Sequence, residues 1–485
     1  MSREYTQALE LEGLHAERHE RALHRRERLR GQPAAAVSDE RSISRQAMRT
    51  LSGWLLALVF AANVAIITGL WLHDGGVTGI NSVGAALTSI GRITGLLGAY
   101  LLLVQVLLLA RLPILEWVVG FDRLTVWHRV NGKLCLYLVL AHVGFITAGY
   151  ALLDRISIPT EASMLLGSYP GMMAALVGTV LLILVVVTSI VIVKRRLRYE
   201  AWYLVHLLAY AGIALSWFHQ IPTGNNLVLN PMAAAYWTGL YVGSLQLLIL
   251  FRLVQPALRN WWHGMRVERV VTEGPDVTSI HITGRHLEWL NARAGQFFLW
   301  RFLSRERWWG SHPFSLSAAP DGKTLRITVK NLGDFSGRLA ELKPGTRVIA
   351  EGPFGHFTAE ERSRDRVVLI AGGIGITPVR ALIEELCGDV VLIYRAVHED
   401  ELIFRDELER LGRERGVNVR YVVGDHRAPE NRHLLSAAHL RQLLPDIGSR
   451  EIYLCGPPAM MRQLETNVRH AGVPARHIHT DRFAF

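Results

Sequence analysis

The chain has 485 residues, half of them hydrophobic, a mean hydropathy of +0.20 and a formal net charge of +11. That apolar content is high for a soluble enzyme, and basic loops on one side of a membrane account for the positive excess without a nucleic-acid partner. Only three cysteines occur, Cys135, Cys387 and Cys455; they form no CxxC, which excludes a disulfide framework and a cysteine-only iron–sulfur cluster.

Residues 1–48 are charged and mixed in sign, and read as a cytoplasmic tail, part solvated helix and part disordered. The first apolar run begins only near Leu51, so no cleavable signal peptide is expected. Six apolar segments follow, at 51–72, 90–112, 126–150, 172–194, 200–220 and 234–254, each near the length of about 20 residues that crosses a bilayer. The loops at Arg111–Arg123, Lys194–Arg198 and Arg252–Arg266 are basic, whereas 73–89, 151–171 and 220–233 are poor in Lys and Arg. The bias of positive charge toward the cytoplasm then places both termini inside. We assign 49–256 to a six-span membrane domain.

Beyond residue 260 short alternating strands appear, VTSIHIT (277–283), QFFLWRF (296–302) and TLRITVK (324–330), separated by PDG and KPG turns. They predict a small antiparallel barrel over 260–362. From 363 to 485 the pattern becomes strand, Gly-rich turn, helix, which predicts a parallel α/β sheet of nucleotide-binding type.

Four histidines pair within the spans: His128 and His142 in the third, His206 and His219 in the fifth. At 1.5 Å per residue each pair spans about 20 Å of helix, which suits two axial pairs for two b-type haems. Because both spans run inside to outside, His128 should face His206 and His142 should face His219. Fourteen residues return to nearly the same helix face, but thirteen end about 140° away, so His219 is the awkward partner. The plainer reading is four histidines bonded to neighbouring helices. Metal-ion or proton conduction would bring carboxylates into the spans, and almost none are there. Arg92, near the outer end of the second span, is either a partner for a haem propionate, an attractor of the electron acceptor, or a snorkelling interfacial cation. Arg129 and Lys133 invite the same reading.

HPFSLSAAP (312–320) ends a barrel strand, and His312, Pro313, Phe314 and Ser315 offer hydrogen bonds and an apolar wall to a flavin edge. KNLGDFSGRL (330–339), with Lys330, Gly333, Phe335, Ser336 and Gly337, opens a helix whose N–H groups suit a pyrophosphate. In AGGIGITP (371–378), Gly372, Gly373 and Gly375 let backbone approach phosphate oxygens, and Thr377 and Pro378 suit a helix start. YLCGPPAMM (453–461) repeats that context, with Cys455, Gly456 and Pro457 at a strand end. Each stretch alone also fits an ordinary strand end or capped helix.

Taken in order, these features resemble the ferric reductase / NADPH oxidase superfamily, in which a dihaem six-helix membrane domain is fused to a ferredoxin-reductase-like dehydrogenase. The resemblance covers about residues 50–485. It implies that NADPH or NADH reduces FAD, and that single electrons then pass by two haem b groups to an outer acceptor, a ferric chelate or dioxygen. It places the protein in the plasma membrane. It also implies that His312–Ser315 contact the flavin ring, Gly333–Ser336 its phosphates, Gly372–Thr377 the coenzyme pyrophosphate and Cys455–Pro457 the nicotinamide, and that the terminal Phe485 stacks on flavin. Ser315, Cys455 and Phe485 are thereby the catalytic candidates. Arg395, after the second strand, would pair with a 2′-phosphate, against Glu399 and Asp400, and favours NADPH. Two positions depart from the superoxide-producing members. Ile146 stands where they carry a further histidine, and Gly212, with Tyr210 nearby, where an aromatic often lies. The competing reading is a haem or ion transporter with a nucleotide-sensing domain.

Overall fold

A computed structural model describes residues 34–190, 199–304, 310–425 and 427–482, with the side chains of 34–46, 122, 199–200, 334 and 482 left aside. The chain forms two compact units, Thr50–Arg259 and a second that begins at Asn260.

The membrane unit contains six helices long and apolar enough to cross a bilayer: α1 (Ala34–His73), α2 (Val83–Leu108), α3 (Phe121–Asp154), α4 (Met172–Ser189), α5 (Tyr199–Thr223) and α6 (Pro231–Ile249), the last continuing through a π turn to His263. The first helix runs from Ala34, so residues 34–48 of the charged tail are helical and continuous with the first span. The second span starts at Val83, seven residues earlier than its hydropathy predicts, because Ser82 caps it through the Ala85 N–H (3.1 Å). The basic loop Lys194–Arg198 lies outside the described residues.

Without a hydrophobic drive between helices in lipid, close backbone approach and buried polar bonds hold the bundle. Both occur. A side-chain carbon on Gly178 of α4 would stand 2.7 Å from the Gly212 carbonyl of α5, so these two helices touch through their backbones. Gln220, near the C-terminal end of α5, accepts from Trp237 Nε1 (2.8 Å) and donates to Tyr241 Oη (3.0 Å), tying α5 to α6.

The second unit opens with two three-stranded antiparallel sheets, ordered β1-β2-β5 and β4-β3-β6. Here β1 is Arg266–Gly274, β2 Val277–Thr283, β3 Phe297–Phe302, β4 His312–Ser315, β5 Thr324–Lys330 and β6 Val348–Phe354. Single bridges, Leu316 to Ile327 and Arg266 to Arg347, join the sheets at both edges and complete the barrel. Alternation puts Ile280, Ile282, Phe298, Trp300, Phe302 and Ile327 wholly inside it.

A five-stranded parallel sheet follows, ordered β11-β10-β7-β8-β9. Its strands are β7 (Val367–Gly372), β8 (Val390–Ala396), β9 (Asn418–Val423), β10 (Glu451–Gly456) and β11 (Ile478–Arg482). Helices α7 (Ile376–Glu385), α8 (Arg405–Arg415), α9 (Ala437–Leu443) and α10 (Pro458–His470) accompany it. β7, β8 and β10 are buried along their whole length, as central parallel strands covered on both faces must be. The strand order reverses between β7 and β10, where open α/β sheets bind ligands.

Candidate functional site: paired histidines, a flavin edge and a nucleotide turn

The four membrane histidines meet in the expected pairs. The ring centres of His128 and His206 are 6.0 Å apart, and those of His142 and His219 are 6.4 Å apart. Two metal–imidazole bonds of about 2 Å, plus about 1.1 Å from each nitrogen to its ring centre, require about 6.2 Å. Among the described residues no group of three metal-ligating side chains occurs. Two imidazoles alone make a poor site for a bare ion that wants four ligands; facing imidazoles at this spacing suit an iron whose remaining ligands come from a macrocycle.

The second ring nitrogens fit the same use. His142 Nδ1 lies 2.8 Å from the Gly91 carbonyl, and His128 Nδ1 lies 3.1 Å from that of Gln105. His206 Nδ1 lies 3.3 Å from Ser189 Oγ, which also accepts from Trp202 Nε1 (3.3 Å). A metal-binding histidine characteristically gives its other N–H to such a partner, which fixes tautomer and ring orientation. Gln105 adds a donor to the His128 carbonyl (2.9 Å) and an acceptor to Asn131 Nδ2 (2.9 Å). His219 Nδ1 is buried without a hydrogen bond of normal geometry; the Ser216 carbonyl, one turn earlier, stands near it. The thirteen-residue spacing breaks no helix. α5 is continuous to Thr223, with Pro222 in its last turn, so side-chain reach and helix crossing absorb the offset.

Gly95 shapes the His142–His219 pair. A side-chain carbon there would stand 2.5 Å from His142 Nδ1 and 2.8 Å from its Cε1. One turn earlier, Gly91 lies against Ile146, which fills the seam between α2 and α3. Arg92 follows Gly91 and reaches the Asp74 carbonyl at 3.4 Å; Asp74 in turn accepts from Asn226 Nδ2 (2.8 Å). Gly212 is closed off by Gly178, so no aromatic fits midway along α5 without parting two helices.

In the second unit, β4 carries the flavin-edge candidates. His312, Pro313, Phe314 and Ser315 pair with Trp300, Leu299, Phe298 and Phe297 of β3. Trp300 Nε1 donates to the Phe314 carbonyl (3.0 Å), fixing the strand. The His312 ring stacks on Phe335 with centres 3.6 Å apart, which brings the HPFS strand and the NLGDFSG turn together. Burial holds the His312 imidazole below its usual range, hence neutral near pH 7. Lys330 ends β5 opposite Val277. After it, Gly333 precedes a one-turn helix, Asp334–Gly337, and Ser336 Oγ accepts from the Leu332 N–H (2.8 Å) while donating to the Gly333 carbonyl (3.2 Å). The hydroxyl therefore closes the turn, and main-chain N–H groups are what the turn offers a phosphate.

The glycines of AGGIGITP divide their work. A side-chain carbon on Gly372 would strike Met460, and one on Gly375 would overlap the Cys455 carbonyl. Those two let the turn nest against CGPP. Gly373 has a φ of +53° and open space beside it, so it is the glycine free to approach a phosphate. Thr377 is buried and donates to the Ile374 carbonyl (3.0 Å), and Pro378 lies in the first turn of α7. Gly456 ends β10 and Pro457 caps α10.

Ser315 is 4% exposed and its hydroxyl donates to Asp481 Oδ2 at 3.3 Å. Asp481 pairs in register with Cys455, and Cys455 with Ala371, across β11, β10 and β7. Ser315, Asp481 and Cys455 thus share one buried place at the switch point. Burial, and then the Asp481 charge, push the Cys455 thiol up, so it stays protonated and is no nucleophile. Asp481 escaped the sequence reading; a carboxylate two residues after His479 in an alternating strand was its only signal. Phe485 lies outside the described residues.

Arg395 departs from expectation. It is 9% exposed, and its guanidinium donates to the carbonyls of Ala396, Val422 and Gly424. Burial is the first reason its pKa falls below the ordinary value. It ties the ends of β8 and β9 together instead of presenting a charge to a 2′-phosphate.

Known proteins agree with this division. Residues 94–217 match the family described as ferric reductase like transmembrane component, 263–358 an FAD-binding domain and 369–466 an oxidoreductase NAD-binding domain. The chain is 32% identical over 232 residues to the ferredoxin reductase component of 3-ketosteroid-9-alpha-monooxygenase from Mycolicibacterium smegmatis; the match covers 45% of this chain and 65% of that one. It is 28% identical over 188 residues to ferredoxin–NADP reductase B of Sorangium cellulosum, covering 35% and 77%. Among solved structures, the FAD/NAD-binding domain of nitric oxide dioxygenase from Vibrio cholerae matches at 23% identity, with a TM-score of 0.38 over 45% of this chain and 98% of that one. The chain is a multidomain membrane oxidoreductase with the ferric reductase / NADPH oxidase-like architecture: a ferric-reductase-like transmembrane component followed by FAD-binding and NAD-binding domains.

Proposed function

We propose that this protein carries electrons from NAD(P)H across the plasma membrane, with both termini cytoplasmic, to an acceptor on the outer side, a ferric chelate or dioxygen. The observation that carries the reading is the facing of His128 with His206 and His142 with His219 in a chain that also holds a flavin edge and a nucleotide turn. When bound, FAD supplies exchange between hydride and single-electron transfer, and the two haems supply one-electron relay.

The chain's own residues bind and orient. Gly91, Gln105 and Ser189 aim the imidazoles. Ser315 and Asp481 form a hydroxyl–carboxylate pair able to hold or accept a proton where flavin chemistry needs one. The protonated Cys455 beside them supplies a compact, uncharged wall. Gly373 and the start of α7 present N–H groups to the coenzyme pyrophosphate. With Arg395 committed to carbonyls, the reading takes NADH and NADPH without preference. Ile146, in place of a further outer histidine, and the closed position at Gly212 speak for a ferric chelate over a dedicated oxygen site.

Purified protein should show flavin and paired-imidazole haem absorbance, and anaerobic NAD(P)H should reduce both. Flavin that bleaches while haem stays oxidised, or a preparation without haem, would refute the reading. Turnover with oxygen, with and without superoxide dismutase, and then with ferric chelates, identifies the acceptor.

A further inference from the structure

Hydride transfer demands that two separately folded domains hold their ligands within a few tenths of an ångström, since misplacement by about 1 Å can cost a hundredfold in rate. The Gly-rich turn sits at the start of α7, and the other end of that helix carries charge into the barrel. Arg380 is 4% exposed and bonds three ways: to Glu384 at 2.5 Å, to Glu407 of α8, and to the Ser317 carbonyl at 3.2 Å. Arg326, from barrel strand β5, meets the same groups from the other side, with Glu407 at 3.2 Å, Ser317 Oγ at 3.1 Å and the Ser317 carbonyl at 2.6 Å. Glu384 also accepts from the Ala319 N–H at 2.7 Å, and the adjacent Glu385 from the Ala294 N–H at 3.0 Å. Thr328 Oγ1 completes the cluster by donating to Ser317 Oγ (2.7 Å).

Two arginines and two glutamates balance in charge, and they hold the main chain of Ser317 and Ala319, the arginines donating to the Ser317 carbonyl and Glu384 accepting from the Ala319 N–H. That segment is the continuation of HPFS, two residues beyond Ser315. A surface pair would contribute little; a largely buried cluster in which both terminal nitrogens of Arg380 are bonded fixes geometry, although its Nε is left without a partner.

We propose that Arg380 and Glu384 are positioning residues that lock the SLSAAP segment behind the flavin edge to helix α7, and so set the distance from the coenzyme turn to Ser315. This rests on the proposed function. Neither residue touches the reacting atoms; each acts through the main chain it holds.

The test uses full-length holoprotein and its FAD-free form, with Glu384→Ala, Arg380→Gln and the milder Glu384→Gln, which keeps an acceptor for Ala319. In Glu384→Ala and Arg380→Gln, anaerobic flavin reduction should slow about tenfold or more, with the coenzyme dissociation constant within about twofold of wild type. Amide exchange in 315–320 should accelerate with and without FAD, while exchange in β5 stays unchanged. Glu384→Gln should recover exchange protection and most of the rate. Flavin reduction within about twofold of wild type, or unchanged exchange in 315–320, would overturn the proposal. So would equal slowing of exchange-protected Glu384→Gln and Glu384→Ala. Wild-type flavin that NAD(P)H does not reduce would count against the proposed function instead, and the exchange readout alone would then decide this one.

Discussion

The membrane unit and the dehydrogenase place reactive side chains by opposite means. In the membrane unit the four histidines stand within long helices, and for His128 and His142 the second partner is a carbonyl of a neighbouring helix. In the dehydrogenase Ser315, Cys455 and Asp481 stand at strand ends; the Ser315 hydroxyl donates to the Asp481 carboxylate, and Cys455 lies in register beside Asp481. A carbonyl partner cannot be lost by substitution, but its helix must come close, so the vulnerable residue is whatever keeps the backbones near. A side-chain partner is lost by one substitution and leaves the scaffold intact. Lesions in the membrane should therefore delete a cofactor, and lesions in the dehydrogenase should change a rate.

The largest expected effect tests the first half of that contrast. His142→Leu should halve the haem content, leave flavin reduction by NAD(P)H intact and reduce transfer to the outer acceptor by at least about a hundredfold. Pyridine haemochrome titration and anaerobic spectra measure both; full haem content in the variant would break the pairing. Gly95→Val should do nearly the same without replacing any histidine, because its first side-chain carbon already meets the His142 ring. Selective retention of the inner pair is the outcome to look for.

Asp481→Asn tests the second half. FAD content should be unchanged, while flavin reduction slows by about tenfold to a hundredfold and loses its dependence on pH. Loss of FAD would mean that Asp481 holds the fold and not the proton. Ser189→Ala lies between the two regimes, since His206 alone takes its Nδ1 partner from a side chain. It should loosen the inner haem about tenfold, read as faster haem loss to apomyoglobin.

The smallest effect is on stability. Glu451, at the start of β10 and wholly buried, takes hydrogen bonds from His479 (2.6 Å) and His477 (3.1 Å). Burial alone would raise its pKa, but the hydrogen bond and charge of His479, then His477, hold it below the carboxylate range. Its contribution is complete above an unfolded value of about 4.3 and is lost as pH falls through the lower folded value. Burial lowers the His477 pKa, with Glu451 opposing. Keeping that imidazole neutral therefore costs stability once pH drops below about 6.5. Both act in one direction. The melting temperature of the dehydrogenase transition should fall from about pH 6.5 to about pH 3, and Glu451→Gln should flatten the part of that curve below about pH 4.3.

Most of the architecture was legible because it is written in periodicity. The six spans, strands β2 and β5 at their predicted bounds, and the glycine turns all follow from local pattern. Even the histidine pairs were legible, from two spacings on parallel spans. What could not be read needed tertiary contact. The fit of His219 depends on helix crossing, which a spacing of thirteen does not encode. The burial of Arg395 depends on where β9 ends, at Val423, beside it. Asp481 matters because β11 pairs with β10 and lies under Ser315, and no run of neighbouring residues announces that. Strands β1, β6 and β11 were passed over because their neighbours, not their own sequences, give them register.

Between the two histidine pairs lies a layer of Leu102, Leu103, Cys135, Leu182 and Ile213, closed on one side by the Gly178–Gly212 contact. Apart from the single Cys135 thiol, the side chains of this layer offer no hydrogen-bonding group to relay a proton and no ligand for an ion. Under the proposed function an electron crossing it outward would travel alone, so each turnover would make the outside more negative and the inside more positive. Work of about 2.3 kcal/mol per 100 mV is exchanged with the membrane potential for every charge moved. Sustained outward flow then requires a separate route for compensating charge elsewhere in the same membrane, and blocking that route in sealed vesicles should stall turnover within seconds while leaving flavin reduction untouched.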